Sequence, residues 1–137
     1  MTAAPYGSGL PLVLDTSAWH RQGRPAIRDR WKSTAKAELL VSCPAAALEI
    51  LAGSRDEHEF TVVDGALASL PQAPITVAVC RAAHGAMREL GARRRLPAVD
   101  YLVAAAAAES GFGVLHADSH FDLLAEVLGF ESVNVGS

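Results

Sequence analysis

The chain has 137 residues, 50% hydrophobic and 20% charged, with a formal net charge of −3. That length buries a core as one domain, and the composition excludes a disordered chain. The acidic balance excludes a generic nucleic-acid-coating protein, which is basic, but not an enzyme that meets a few phosphates through a local basic patch.

Residues 1–9 carry Pro, Gly and Ser and read as a flexible N-terminal tail, leaving 10–137 as a single domain. Leu10 to Leu14 is a short apolar run suited to a buried strand, and Thr16 or Ser17 is placed to cap the helix that follows. Residues 24–37 predict an amphipathic helix with Ile27, Trp31 and Ala35 at helical spacing, and Glu38 to Cys43 a second strand. Pro44 opens a helix through Leu51, closed by Gly53. Helices are expected over 55–69 and 76–90, the second with Val77, Cys80, Ala83, Met87 and Leu90 on one stripe. Pro97 starts a helix that runs through an alanine-rich stretch to Ser110. A strand over Phe112 to His116, a helix over 119–128 and a short strand from Ser132 to Val135 complete the pattern. Strands alternating with helices imply an α/β fold with a mostly parallel sheet covered on both faces. Sites in such sheets form at the carboxyl ends of the strands.

Cys43 and Cys80 have no metal-binding spacing and read as reduced, buried thiols. The chain does not open on a charged segment followed by a long apolar run, and the strongest apolar stretch, around 102–108, is too short for a bilayer. The expected location is the cytoplasm, without membrane contact.

Four carboxylates interrupt apolar stretches: Asp15 in Leu-Asp-Thr-Ser, Glu49 in Ala-Leu-Glu-Ile-Leu, Asp100 in Val-Asp-Tyr-Leu-Val-Ala-Ala, and Asp118 in His-Ala-Asp-Ser-His-Phe-Asp. A carboxylate in apolar surroundings is costly unless something positive pairs with it. No Lys or Arg lies within these four segments, so a divalent cation shared by all four is the economical partner. Crowded like charges would raise the carboxylate pKa values in its absence.

Leu-Asp-Thr-Ser at 14–17, Glu49 followed by Gly53, Leu-Pro-Ala-Val-Asp-Tyr-Leu-Val-Ala-Ala at 96–105 and Val-Leu-His-Ala-Asp-x-x-Phe-Asp at 114–122 together resemble a PIN-domain ribonuclease, most closely the VapC toxin branch of bacterial toxin–antitoxin pairs. The resemblance runs from about Leu12 to Val135. It implies a PIN-like three-layer α/β/α domain. It also implies that Asp15, Glu49, Asp100 and Asp118 ligate Mg²⁺ or Mn²⁺, with Thr16 or Ser17 as the supporting hydroxyl. The activity implied is metal-dependent cleavage of tRNA or ribosomal RNA that inhibits translation. A homodimer and a cognate VapB-like antitoxin, masking the acidic site with a basic or bulky side chain, are implied as partners.

One position departs from the pattern: where many members carry a second acid two residues after the last Asp, this chain has His120. Asp122, one turn beyond Asp118, is the candidate substitute ligand; otherwise it is an exposed residue. His116 and His120 lack the closed spacing a zinc site requires. His120 is a candidate phosphate contact or proton carrier, or simply a surface histidine. Arg93, Arg94 and Arg95 precede the Asp100 helix and are candidate RNA contacts, with a solvated loop as the plainer reading. Arg21, Arg24, Arg28, Arg30 and Lys32 form a second basic cluster, for RNA, antitoxin or water. For Trp19 and Trp31, packing is expected over base stacking. Two further readings stay open: a catalytically weak acidic-groove binding module, and an RNA-processing PIN nuclease without an antitoxin.

Overall fold

The computed structural model describes residues 3–136. In chain order the elements are β1 (Leu12–Leu14), α1 (Thr16–Trp19), α2 (Pro25–Lys36), β2 (Leu40–Val41), α3 (Pro44–Ala52), α4 (Glu57–Ala68), α5 (Val77–Leu90), α6 (Ala98–Ser110), β3 (Gly113–His116), α7 (His120–Leu128) and β4 (Ser132–Asn134), with a 3₁₀ turn at Ala92–Arg94. The described strands form one parallel sheet in the order β2-β1-β3-β4. None of the described helices is long and apolar enough to cross a membrane.

Register places the two apolar faces of the sheet. Val13, Val41 and Val114 lie side by side and pack with α3, α5, α6 and α7, in a core that includes Val103, Ala104, Phe121 and Leu124. Leu12, Leu14, Leu40 and Leu115 face the other way, against Ala18, Ile27 and Trp31 of α1 and α2. Because successive strand side chains alternate, β1, β2 and β3 each serve both cores, and the result is the expected three-layer α/β/α arrangement. Ala104 to Ala107 are completely buried, and α6 packs most extensively on α5. Alanines here let the helix axes and the sheet approach closely. Gly113 is needed for the same reason: a Cβ there would lie 2.8 Å from the Glu131 carbonyl oxygen and 2.8 Å from Leu12 Cδ2.

Several local expectations are corrected. The cap of the first short helix is Asp15, whose carboxylate accepts from the Ser17 N–H, rather than Thr16 or Ser17. The second strand shrinks to Leu40–Val41 because Glu38 turns the chain at φ 60° after α2. On α2 the third buried position is Thr34, not Ala35; its Oγ1 accepts from the Tyr6 N–H at 2.9 Å and donates to the Arg30 carbonyl at 2.7 Å. On α5 the buried stripe is Val79, Ala83 and Ala86, while Val77 and Cys80 are exposed. Only Cys43 is a buried thiol, and burial raises its pKa. Trp31 is buried and meets Trp19 edge-to-face at 6.4 Å, so both indoles serve packing.

The segment read as a loose tail is packed at Tyr6, which is 1% exposed. Its hydroxyl donates to the Val135 carbonyl at 3.2 Å, and the Arg30 guanidinium lies 4.1 Å from its ring centroid. Arg30 also donates to the Ala4 and Pro5 carbonyls, which spends this part of the second basic cluster on the fold. A Tyr6→Ala substitution is expected to destabilise the domain by about 3 kcal/mol, lowering the midpoint of thermal unfolding by roughly 10 °C. An unchanged midpoint by circular dichroism would show that this segment contributes nothing to the fold.

Candidate active site

In the order β2-β1-β3-β4, the chain leaves β1 toward one edge and returns past it to β3, so the gap between β1 and β3 is the topological switch point of the sheet. Asp15 directly follows β1, its N–H continuing the ladder to the Leu115 carbonyl at 3.0 Å. Asp118 follows β3 by two residues. Asp100 enters from above at the third residue of α6, and His120 opens α7. These elements bring together side chains up to 105 positions apart, from Asp15 to His120.

Asp15 is 4% exposed. Its Oδ2 accepts from the Ser17 N–H at 2.9 Å and from Ser17 Oγ at 2.5 Å. Ser17 Oγ in turn accepts from the Ala117 N–H at 2.9 Å, tying the Asp15 turn to the loop that carries Asp118. Asp15 Oδ1 is buried with no hydrogen-bond partner. Such an oxygen costs roughly 1–3 kcal/mol or more unless something completes it. Asp100, Asp118 and His120 have ligand-type atoms all within 4.8 Å of one another. His120 Nδ1 lies 2.9 Å from Asp100 Oδ2 and 3.3 Å from Asp118 Oδ1, while the His120 backbone N–H donates to Asp118 Oδ1 at 3.0 Å.

The Asp100 carboxyl is pushed up to about 6. Burial is the main cause; the His120 hydrogen bond opposes it, and the charges of Asp15 and Asp118 add to it. Among the described residues no Lys or Arg pairs with Asp15, Glu49, Asp100 or Asp118. Glu49, exposed on α3, is held beside the Asp15 turn by Thr16 Oγ1, which donates to its Oε1 at 2.7 Å. Neither Glu49 nor Asp15 is part of the tight group of Asp100, Asp118 and His120. Of the two hydroxyls after Asp15, Ser17 donates to Asp15 and Thr16 to Glu49.

Asp122 and His116 go elsewhere. His116 is fully buried and its Nδ1 accepts from the Asp118 N–H at 3.1 Å, so Nε2 carries the proton and donates to Ser132 Oγ at 2.7 Å. Ser132 Oγ donates to Asp122 Oδ1 at 2.8 Å. Burial lowers the His116 pKa, keeping it neutral in this chain of hydrogen bonds. Asp122 is therefore engaged with β4 rather than with the carboxylate group, and His116 and His120 do not form a zinc pair. Ser132 and His116 as orienting groups were not predicted, because the contact between them is set by β3–β4 pairing. Arg94 and Arg95 are exposed beside the 3₁₀ turn, with the Arg94 carbonyl accepting from Tyr101 Oη at 3.4 Å; the Arg93 side chain lies outside the described residues.

An Asp whose pKa is raised on folding makes the fold least stable above that pKa. Here the stability present below pH 4 is lost as pH rises to about 6. Asp100→Asn, a mimic of the protonated form, should therefore stabilise the metal-free protein by about 2 kcal/mol at pH 7.5 in EDTA, with the advantage vanishing near pH 4. Equal stability of the two proteins at pH 7.5 in urea unfolding would show that the Asp100 charge is not under strain.

Residues 12–127 match the family described as PIN domain. The chain is 37% identical over 124 residues to Ribonuclease VapC51 of Mycobacterium tuberculosis, spanning 88% of this chain and 89% of that protein. It is 31% identical over 123 residues to Ribonuclease VapC18 of the same organism, spanning 86% and 90%. Among solved structures it resembles a chain of the DNA-bound VapBC from Salmonella typhimurium, with TM-score 0.73, 18% identity and coverage of 92% of this chain and 98% of that one. A chain of VapBC2 from Rickettsia felis bound to a promoter DNA fragment gives the same TM-score of 0.73 at 12% identity, covering 91% and 98%.

Proposed function

Because the chain belongs to the PIN-domain family, in its VapC ribonuclease branch, we propose that it is a metal-dependent endoribonuclease and the toxin of a toxin–antitoxin pair. It hydrolyses phosphodiester bonds in cellular RNA, tRNA or ribosomal RNA, and so inhibits translation. The observation that carries this reading is a set of carboxylates at the sheet's switch point, Asp15 and Asp100 buried and Asp118 part-buried, that no Lys or Arg of the described residues pairs, with one Asp15 oxygen left without a partner. The oxygen-rich donor set suits Mg²⁺ or Mn²⁺, and the orphaned Asp15 Oδ1 is what such an ion would complete. Asp15, Asp100 and Asp118 would hold it directly, with Glu49 available from the rim.

When bound, a hard divalent cation supplies positive charge to a phosphodiester gaining negative charge and makes nearby water more acidic. The chain's own residues prepare the place. Ser17 fixes one Asp15 oxygen, so that the other points away from the cap. Burial keeps Asp100 short of water, so its charge is available to a cation rather than dissipated in solvent. His116 holds the Asp118 backbone from behind, and Thr16 keeps Glu49 close to the Asp15 turn. Arg94 and Arg95, exposed ahead of α6, offer cations to the flanking phosphates of an RNA strand.

Membership of the VapC branch supports a cognate VapB-like antitoxin and a homodimer as partners. An antitoxin side chain carrying a positive charge would neutralise the same carboxylates and displace the ion. Total tRNA and ribosomal RNA incubated with Mg²⁺ or Mn²⁺ should yield discrete products that EDTA abolishes. Asp100→Asn should reduce the rate by about 100-fold or more while the protein stays folded. Cleavage that survives EDTA, or equal activity in the variant, would overturn the reading; no cleavage by metal-loaded protein would favour an acidic-groove binding module.

A further inference from the structure

His120 is the residue of this site that sequence and structure place most unexpectedly. Its ring sits between two carboxylates, 2.9 Å from Asp100 Oδ2 and 3.3 Å from Asp118 Oδ1, both measured from Nδ1. Its backbone is fixed by the hydrogen bond from its own N–H to Asp118 Oδ1 at 3.0 Å. Nδ1 therefore faces the same point as the two carboxylates, with a ring that is part-buried, 36% exposed at the side chain. The three ligand-type atoms lie within 4.8 Å of each other, a span one ion can bridge. An independent sign that the site lacks a positive centre is Asp15 Oδ1, buried and without a partner in a residue 4% exposed. In the metal-free chain Nδ1–H donates to Asp100; with the proton on the solvent side at Nε2 instead, Nδ1 presents a lone pair to the same point.

We propose that His120 Nδ1 is a metal ligand and gives this site a mixed nitrogen–oxygen donor set that prefers Mn²⁺ and later first-row transition ions over Mg²⁺. The inference rests on the metal-dependent reading above and sharpens it to a choice of ion. Mg²⁺ is bound by oxygen donors and retains water, whereas imidazole suits transition ions, whose affinity for a given nitrogen-containing site rises along the series from Mn²⁺. An all-carboxylate version of the site would make that distinction less sharply. One nitrogen for one oxygen is the difference that His120 introduces at the centre of the group.

The test is binding rather than cleavage. Mn²⁺ and Mg²⁺ are titrated into the metal-free protein by calorimetry, for wild type and for His120→Asp, and the Mn²⁺-loaded wild type is examined by pulsed electron paramagnetic resonance for a ¹⁴N coupling. The proposal expects a directly bound nitrogen in the wild type and a Mn²⁺-over-Mg²⁺ preference that falls about tenfold or more in His120→Asp. The resonance measurement needs only the wild-type chain and so holds even if the variant folds poorly. Tight Mn²⁺ binding with no nitrogen coupling overturns this inference and leaves the nuclease reading standing. Failure of both ions to bind wild type overturns the inference and the metal-dependent reading together.

Discussion

Negative charge held largely out of water is the constraint around which this molecule is organised. Asp15 and Asp100 are both buried, Asp118 stands beside them, and no Lys or Arg of the described residues answers them. Burial is the largest cause that pushes the Asp100 carboxyl up to about 6, against the His120 hydrogen bond, and its acidic neighbours push in the same direction. A fold selected for stability alone would replace such a group with an apolar side chain or pair it. The penalty is kept because a desolvated carboxylate interacts with an incoming cation far more strongly than a solvated one. Stability is sacrificed at the point where binding is needed.

The surrounding hydrogen bonds hold the charges in place. Ser17 grips Asp15 and the Ala117 N–H at once, joining the loops after β1 and β3 across the switch point. Thr16 reaches across to α3 for Glu49. Each of these orienting groups is short, hydroxylic and local to an element end, which leaves it few rotamers. These bonds oppose the separation that mutual repulsion of the carboxylates favours.

Much of this was legible in the chain. The order of strands and helices, and the placing of Asp15 and Asp118 at strand ends, follow from residues that announce themselves: an aspartate after a hydrophobic triplet, a proline before an alanine run, a glycine after a helix. What escaped depends on contacts that no local pattern encodes. Tyr6 looked like part of a loose tail because Pro, Gly and Ser surround it, yet Thr34 and Val135, 28 and 129 positions away, receive it. On α5 alanine and cysteine satisfy two overlapping helical registers, and packing against α6 buries Val79, Ala83 and Ala86. Glu38 interrupts a strand by a backbone turn that its side chain does not advertise. His120 read as a departure from a pattern; its partner Asp100 lies 20 residues earlier, and only the meeting of α6 and α7 makes the pair.

The two walls of the site are supported unequally. Asp15 hangs from β1, which is paired on both sides, and its turn is tied down by Ser17. The Asp118 loop leans on His116, whose outer nitrogen is held by Ser132 of β4, a strand with a neighbour on one side only. Edge strands open at lower free energy than central ones. One wall of the site is thus fixed from the sheet's centre and the other from its edge, so local opening that reached the site would enter from the Asp118 side first.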